Sequence, residues 1–412
     1  MHRPYFRRFD PTIHYPRAGS QPQAWDMPDL CRAYNYPNNL AGPPQKIGII
    51  ELGGAYYPAD TARIFARWNL PAPNVTPIIL TGASQQPGNA DGEVALDVQI
   101  AAAAYTYCTG KAANINLYFA RNDNQAFAAA VRQAVLDGCG TIGISWGSAE
   151  QYWGGAAGLN AFAAACATAG PAGTTIFAAA GDNDSGDGTN GVAVDFPASC
   201  PFVIGCGGTH KSATDETVWN DGANEGTGGG YSAFFPVQPY QVGAPTGSGR
   251  LVPDLAANAS PATGYVICQQ GQFGPVGGTS AVAPLMAGLF AAFNSALKGK
   301  NKPALGQCHD RLYRHPAAFR DITVGNNGRW RAASGIDPCT GLGVPDGTAL
   351  WLALDGSIPG PVVPPVQPPP TTNPPTGTPI SGIEQAVQGI LHLSGFTTHT
   401  PPAATDSWSV GK

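Results

Sequence analysis

A chain of 412 residues with 43% hydrophobic residues can bury a large core, yet charged residues make up only 12%, about half the usual share of a soluble protein. The formal net charge of −5, with few scattered lysines and no basic patch interleaved with aromatics, excludes nucleic acid as an expected partner. Sparse carboxylates leave few groups whose protonation would unfold the chain in acid, while 54 glycines and 39 prolines require much of the fold to be loop and turn.

In chain order, residues 1–22 are rich in Pro and Arg (Arg3, Arg7, Arg8, Arg17) and lack periodicity. They read as an extended arm of the kind a pro-segment leaves behind. The Met1-His2 start has no apolar h-region of a signal peptide. Asp26-Met27-Pro28-Asp29-Leu30 reads as an N-cap and short helix, and the folded domain is placed at 23–355. Apolar strands are expected over 46–50, 76–80, 114–119, 141–146, 174–179 and 202–205. Helical patterns fall between them over 59–68, 93–107, 125–136 and 159–168. This alternation predicts an α/β fold with a mostly parallel central sheet and helices on both faces. In such sheets functional residues gather at the carboxyl ends of strands, where Glu51, Trp146 and Asp182 fall.

A Gly-rich stretch over 220–249 precedes Gly278-Thr279-Ser280 and a strong helix over 281–297. Within it, Gly228-Gly229-Gly230 lacks the Lys-Ser/Thr of a phosphate loop and reads as a substrate-cleft loop. Residues 356–380 form a Pro-rich linker, expected as polyproline II, and 381–412 a short tail. No stretch reads as long and apolar enough to cross a membrane. Nine scattered cysteines without a CxxC pair read as buried small residues with one or two bridges.

The chemistry concentrates in Gly277-Gly278-Thr279-Ser280-Ala281-Val282-Ala283-Pro284. A serine opening a helix is by default an N-cap. Here two glycines permit close approach of backbone or substrate, and Pro284 falls in the first helical turn, where it costs little. A serine nucleophile needs a base. None of the seven histidines (His2, His14, His210, His309, His315, His392, His399) sits in the HGT setting of a subtilisin-like triad. Gly92-Glu93-Val94-Ala95-Leu96-Asp97 instead places two carboxylates at i and i+4 on one helix face. Such a pair shares a proton and can act as base in acid. The ordinary alternative is two solvated surface charges, weakened by the apolar residues around them. Ala178-Ala179-Ala180-Gly181-Asp182 is a strand running into a turn. Its acid either caps backbone amides or, protonated, donates to an oxyanion.

These segments resemble the sedolisins, serine-carboxyl peptidases with a subtilisin-like fold, and within them the kumamolisins. The matching stretches are GGTSAVAP, GEVALDVQ, AAAGD, DFPASCPFVIGCGGT, IIELGG, SWG, DITVGNNG and GIDPCTGLG, spread over 22–354. The resemblance implies Ser280 as nucleophile, Glu93 as base and acid, Asp97 as its orienting partner and Asp182 as oxyanion-hole acid. Glu51 and Trp146 would extend the network behind Glu93. Asp195 would sit at the S1 pocket and favour a basic or polar P1 side chain; a turn role before Phe196-Pro197 is the equal alternative. One structural calcium is also implied, held by Asp321 and Asp337 carboxylates and the backbone carbonyls of Ile322, Ala333 and Gly335. Ser334 and Ile336 depart from the family's usual Pro and Trp there. The expected protein is a secreted, extracellular, monomeric acid endopeptidase acting on proteins or peptides. Its rivals are a non-catalytic binding protein on the same fold and a histidine-based triad.

Overall fold

The computed structural model describes residues 1–9, 24–222 and 224–358. Its central sheet has eight strands: β1 (Lys46–Glu51), β2 (Asn74–Ile79), β3 (Asn114–Phe119), β4 (Thr141–Ile144), β5 (Thr175–Ala179), β6 (Ile204–Lys211), β7 (Glu216–Val218) and β8 (Leu255–Asn258). They lie in the order β7-β6-β5-β4-β1-β3-β2, with β8 joined to β6. All pairs are parallel except β6 with β7. Parallel neighbours need crossovers, and α2 (Pro58–Trp68), α3 (Asp91–Thr109), α4 (Asn124–Leu136) and α5 (Gly155–Ala167) lie in them, while α1 (Met27–Ala33) precedes β1 and α6 (Val282–Gly299) follows β8.

Side chains alternate across a strand, so the apolar residues of β1 between Lys46 and Glu51 serve two cores. Ile47 and Ile49 pack with α1, α2, α3 and α6, while Ile50 joins Ile142, Ile144 and the faces of α4 and α5. The expected subtilisin-like layering is the one observed. Every residue of α3 except Tyr107 is buried, because α6 lies against it on the same side of the sheet. A Cβ on Gly288 of α6 would collide with the Ala101 carbonyl of α3, so the two backbones touch through a glycine.

Four expectations need correction. The segment Thr279–Gly299 is long and apolar enough to span a membrane (21 residues, mean hydropathy 1.5), but it is buried through Leu297 and is the core helix with its leading turn. All nine cysteines are buried and none is bridged. Asp26 stands at the N-cap of α1 without capping it; its carboxylate instead holds Arg67 and Trp68 of α2. The strand expected over 141–146 is also divided, because the chain leaves the sheet at Ser145 and forms a second strand, Trp146–Ala149.

The N-terminal arm is extended but docked. Arg3–Pro4 pairs antiparallel with Trp146–Ala149, and Arg7–Arg8 pairs antiparallel with Gln272–Gly277. The linker and tail expected over 356–380 and 381–412 lie, from residue 359 on, outside the described residues.

Candidate active site

Ser280 sits in a single 3-10 turn, Thr279–Ala281, that leads into α6. Its side chain caps nothing: the hydroxyl faces the Ser145 carbonyl at 3.4 Å, and the residue is fully buried. Gly278 before it has φ of 104°, and a Cβ there would clash with the Tyr5 carbonyl and lie 2.6 Å from Asp182 Oδ2. Only glycine fits that conformation and that approach.

Glu93 and Asp97 are completely buried one turn apart on α3, which disposes of the solvated-surface alternative. Ser145 Oγ donates to Asp97 Oδ1 at 2.8 Å. Neither Glu93 oxygen has a hydrogen bond of standard geometry, while the nearby Ser280 hydroxyl eases its charge. Burial, followed by the charges of Asp97 and Glu51, pushes Glu93 well above the usual carboxylate range. Burial raises Asp97 to about 8, against the lowering effect of its bonds to Ser145 and Glu93. Glu51, at the carboxyl end of β1, is raised by burial and by Asp97, and it accepts from Trp146 Nε1 at 2.9 Å. Three buried carboxyls in mutual reach cannot all ionise, so protons are held among them at neutral pH.

Asp182 follows β5 and is fully buried. Its Oδ1 accepts from both the amide and the hydroxyl of Thr279 at 2.8 Å. Its Oδ2 has no hydrogen-bond partner and lies 3.6 Å from Arg7 Nε. Burial raises its pKa to about 6, opposed mainly by Arg7. The glycine loop packs behind it, since Gly228 donates to the Gly181 carbonyl at 2.8 Å.

Asp195 is buried in the short strand Asp195–Phe196 and takes a hydrogen bond from the Tyr5 hydroxyl. Burial, followed by the charge of Asp187, pushes its carboxyl well above the usual range. Hydrogen bonds and charge interactions thus join Ser280, Glu93, Asp97, Glu51 and Trp146 in one buried network, with Asp182 bonded to Thr279 beside Ser280 and Asp195 bonded to Tyr5. Sequence reading overlooked Ser145, Thr279, Asp187 and Tyr5. The SWG stretch was the one available signal for Ser145; Tyr5 comes from an aperiodic arm and carried none.

The described histidines are bonded elsewhere: His2 to Asn124, His210 to Ser260, His309 to the Val203 carbonyl and His315 to the Arg311 carbonyl. The residues expected to hold calcium lie in the segment after residue 320. Asp337 accepts from the amides of Ala333 (3.0 Å), Cys339 (2.8 Å) and Thr340 (2.9 Å), and Asp321 from that of Gly335 (2.7 Å). Asp321 is near enough for its charge to raise Asp337, after the larger effect of burial. Two carboxylates within reach in a carbonyl-bearing loop fit a hard divalent cation. Among the described residues no three Asp, Glu, His or Cys side chains gather as a metal group, so the fit rests on these two and the backbone.

A parallel α/β sheet with a serine heading a buried helix and carboxylates facing it defines a subtilisin-like peptidase. The profile described as "Subtilase family" matches residues 75–308. Kumamolisin of Bacillus sp. (strain MN-32) is 41% identical over 385 residues, covering 85% of this chain and 68% of that protein. Sedolisin of Pseudomonas sp. (strain 101) is 31% identical over 331 residues, covering 72% and 55%. The solved structure of Pseudomonas sedolisin, complexed with two molecules of pseudo-iodotyrostatin, has a TM-score of 0.72 at 27% identity and covers 82% of this chain and 99% of that one. The chain belongs to the sedolisin family of serine-carboxyl peptidases.

Proposed function

We propose that this chain is a secreted, acid-active endopeptidase using Ser280, Glu93 and Asp97, with Asp182 completing the oxyanion hole. The observation that carries the reading is the orphaned, buried Glu93 carboxyl beside a serine that caps no helix. A buried general base set beside its nucleophile is poised for proton transfer. Glu93 takes the Ser280 proton as the hydroxyl attacks a peptide carbonyl, and later returns it to the leaving amine. Asp97, fixed by Ser145, and Glu51, fixed by Trp146, hold Glu93 at the proton count the step requires. The oxyanion meets the Ser280 amide and the free Oδ2 of Asp182, which donates only when protonated. The oxyanion donor is therefore competent only in acid, and Glu93 acts as base there as the unprotonated member of the proton-sharing Glu93–Asp97–Glu51 cluster. Protein or peptide substrates and a monomeric state go with this reading.

The test is hydrolysis of denatured casein by wild type, Ser280→Ala and Glu93→Gln. Both variants should lose at least about 1000-fold in kcat with unchanged circular dichroism. Near-wild-type turnover by either variant removes that residue from the mechanism.

Calcium is the proposed structural ion, with Asp321, Asp337 and the carbonyls of Ile322, Ala333 and Gly335 as its ligands. When bound, it neutralises two adjacent carboxylates and ties the loop. A chelator should lower Tm by several degrees and added calcium should restore it. A Tm unmoved by either treatment overturns the site.

A further inference from the structure

Asp182 heads a turn that local sequence alone would not hold. Asp184 and Asp187 both take left-handed backbone, with φ of 50° and 44°, a conformation uncommon outside glycine and kept only where the surroundings fix it. The turn is fastened on two sides. On one, the Gly226 amide donates to the Asp182 carbonyl at 3.3 Å, the Gly228 amide donates to the Gly181 carbonyl at 2.8 Å, and Asn183 bridges Gly226 in parallel. A Cβ on Gly228 would strike the Ala180 carbonyl, so this contact is backbone against backbone. On the other side, the Ser185 amide donates to the Asn327 carbonyl at 2.8 Å, and the Ser185 hydroxyl accepts from the Arg329 amide at 2.9 Å.

One residue reaches both supports. Asn327 is fully buried. Its Nδ2 donates to the Gly229 carbonyl at 3.5 Å and to the Pro338 carbonyl at 3.3 Å, and its Oδ1 accepts from the Trp330 amide at 3.2 Å. Both donors and the acceptor of the amide are therefore in use. A Cβ on Gly229 would strike the Pro338 carbonyl, so the asparagine lies where these two stretches of backbone already touch. Its side chain holds the glycine loop, and its carbonyl holds the turn after Asp182. Removing the amide group would take bonds from three backbone groups at once.

We propose that Asn327 is a positioning residue for the oxyanion acid, fixing the turn that aims Asp182 Oδ2 beside Ser280 without itself touching a reacting atom. The inference rests on the peptidase reading above and adds a residue to it. Thr279 holds the carboxyl at its Oδ1, while Asn327 holds the backbone from which that carboxyl projects. Without the asparagine side chain, the glycine loop and the turn lose their common anchor and water can enter between them. The donor then meets the oxyanion at a longer distance, which slows turnover and leaves ground-state binding nearly unchanged. Burial is the largest cause that raises Asp182, so entering water returns its pKa toward the ordinary range. The donor is then lost at a lower pH. The charged groups that act with Asp182 are Arg7 and Arg3 of the arm, Asp187 of the same turn and Glu93 of α3.

The test compares casein hydrolysis by wild type, Asn327→Ala, Asp182→Ala and the double variant, with rates read from about pH 2 to 8. Asn327→Ala should lower kcat in acid by at least about tenfold with KM within about twofold. The neutral limb of its profile should move toward acid by about half a pH unit or more. In the Asp182→Ala background no carboxyl remains to be aimed, so the same substitution should change kcat by less than about twofold. If circular dichroism shows Asn327→Ala unfolded, Asn327→Ser replaces it with the same expected outcomes, since one hydroxyl proton can serve only one of the two carbonyls. Equal losses in both backgrounds, an unmoved neutral limb, or an unchanged kcat makes Asn327 a general support of the fold. Each overturns this inference, while digestion of casein by the wild type leaves the peptidase reading standing. A wild type that digests no casein overturns both.

Discussion

Asp182 shows how one residue's surroundings decide its chemistry. Half of its carboxyl is satisfied by Thr279 and half is bare beside the serine. With a pKa raised to about 6 by burial, it is a proton donor below that pH and a buried anion above it. Asp182→Asn keeps a donor at every pH but changes its geometry. The variant should lose on the order of 100-fold in kcat in acid, and its rate should decline less steeply toward neutrality because one titration is gone. Rate profiles of both proteins from about pH 2 to 8 bracket the ordinary and raised carboxyl range. Full activity in acid would return Asp182 to the role of a turn residue.

At the scale of elements, the site depends on two buried helices in backbone contact. α3 carries Glu93 and Asp97, α6 follows Ser280, and Gly288 allows the close approach that sets one against the other. Gly288→Ala places a methyl against the Ala101 carbonyl, a backbone atom that cannot swing away. Overpacking of this kind costs about 1–3 kcal/mol. The substitution should shift the denaturation midpoint by that amount and lower kcat more than KM, since it displaces the base from the nucleophile. Equal stability of variant and wild type would mean that the helices can separate freely. The glycine spacing is plain in the sequence, but its contact is not, because α3 and α6 are far apart in the chain and nothing local specifies which residues meet.

For the whole molecule, the buried carboxyls act together on stability. Asp182, Asp187 and Asp97 are raised to about 6, 7 and 8, with burial the largest cause each time, and Glu51, Glu93 and Asp195 are raised as well. Each holds its proton more tightly folded than unfolded. Their favourable contribution is therefore complete below the unfolded carboxyl pKa near ~4 and is lost as pH rises through the folded values. Tm should fall by several degrees between about pH 4 and pH 8, the reverse of ordinary acid denaturation. A Tm that rises over that interval would contradict the buried, protonated cluster.

The sequence by itself determined the alternation of strands and helices, the serine at the head of a buried helix and the i, i+4 carboxyl pair, because each is written in local periodicity or in a contiguous motif. The burial of Glu93 and Asp97 was legible too, from the apolar residues around them on α3. The tertiary structure alone decided that Ser145 leaves its sheet to meet Asp97 and Ser280, that Asp195 and Asp187 meet Tyr5 and Arg3, and that an aperiodic arm puts Tyr5 beside the nucleophile. Those relations join residues from 48 to 275 positions apart, such as Ser145 with Asp97 and Tyr5 with Ser280, and they exist only once packing has closed the chain upon itself.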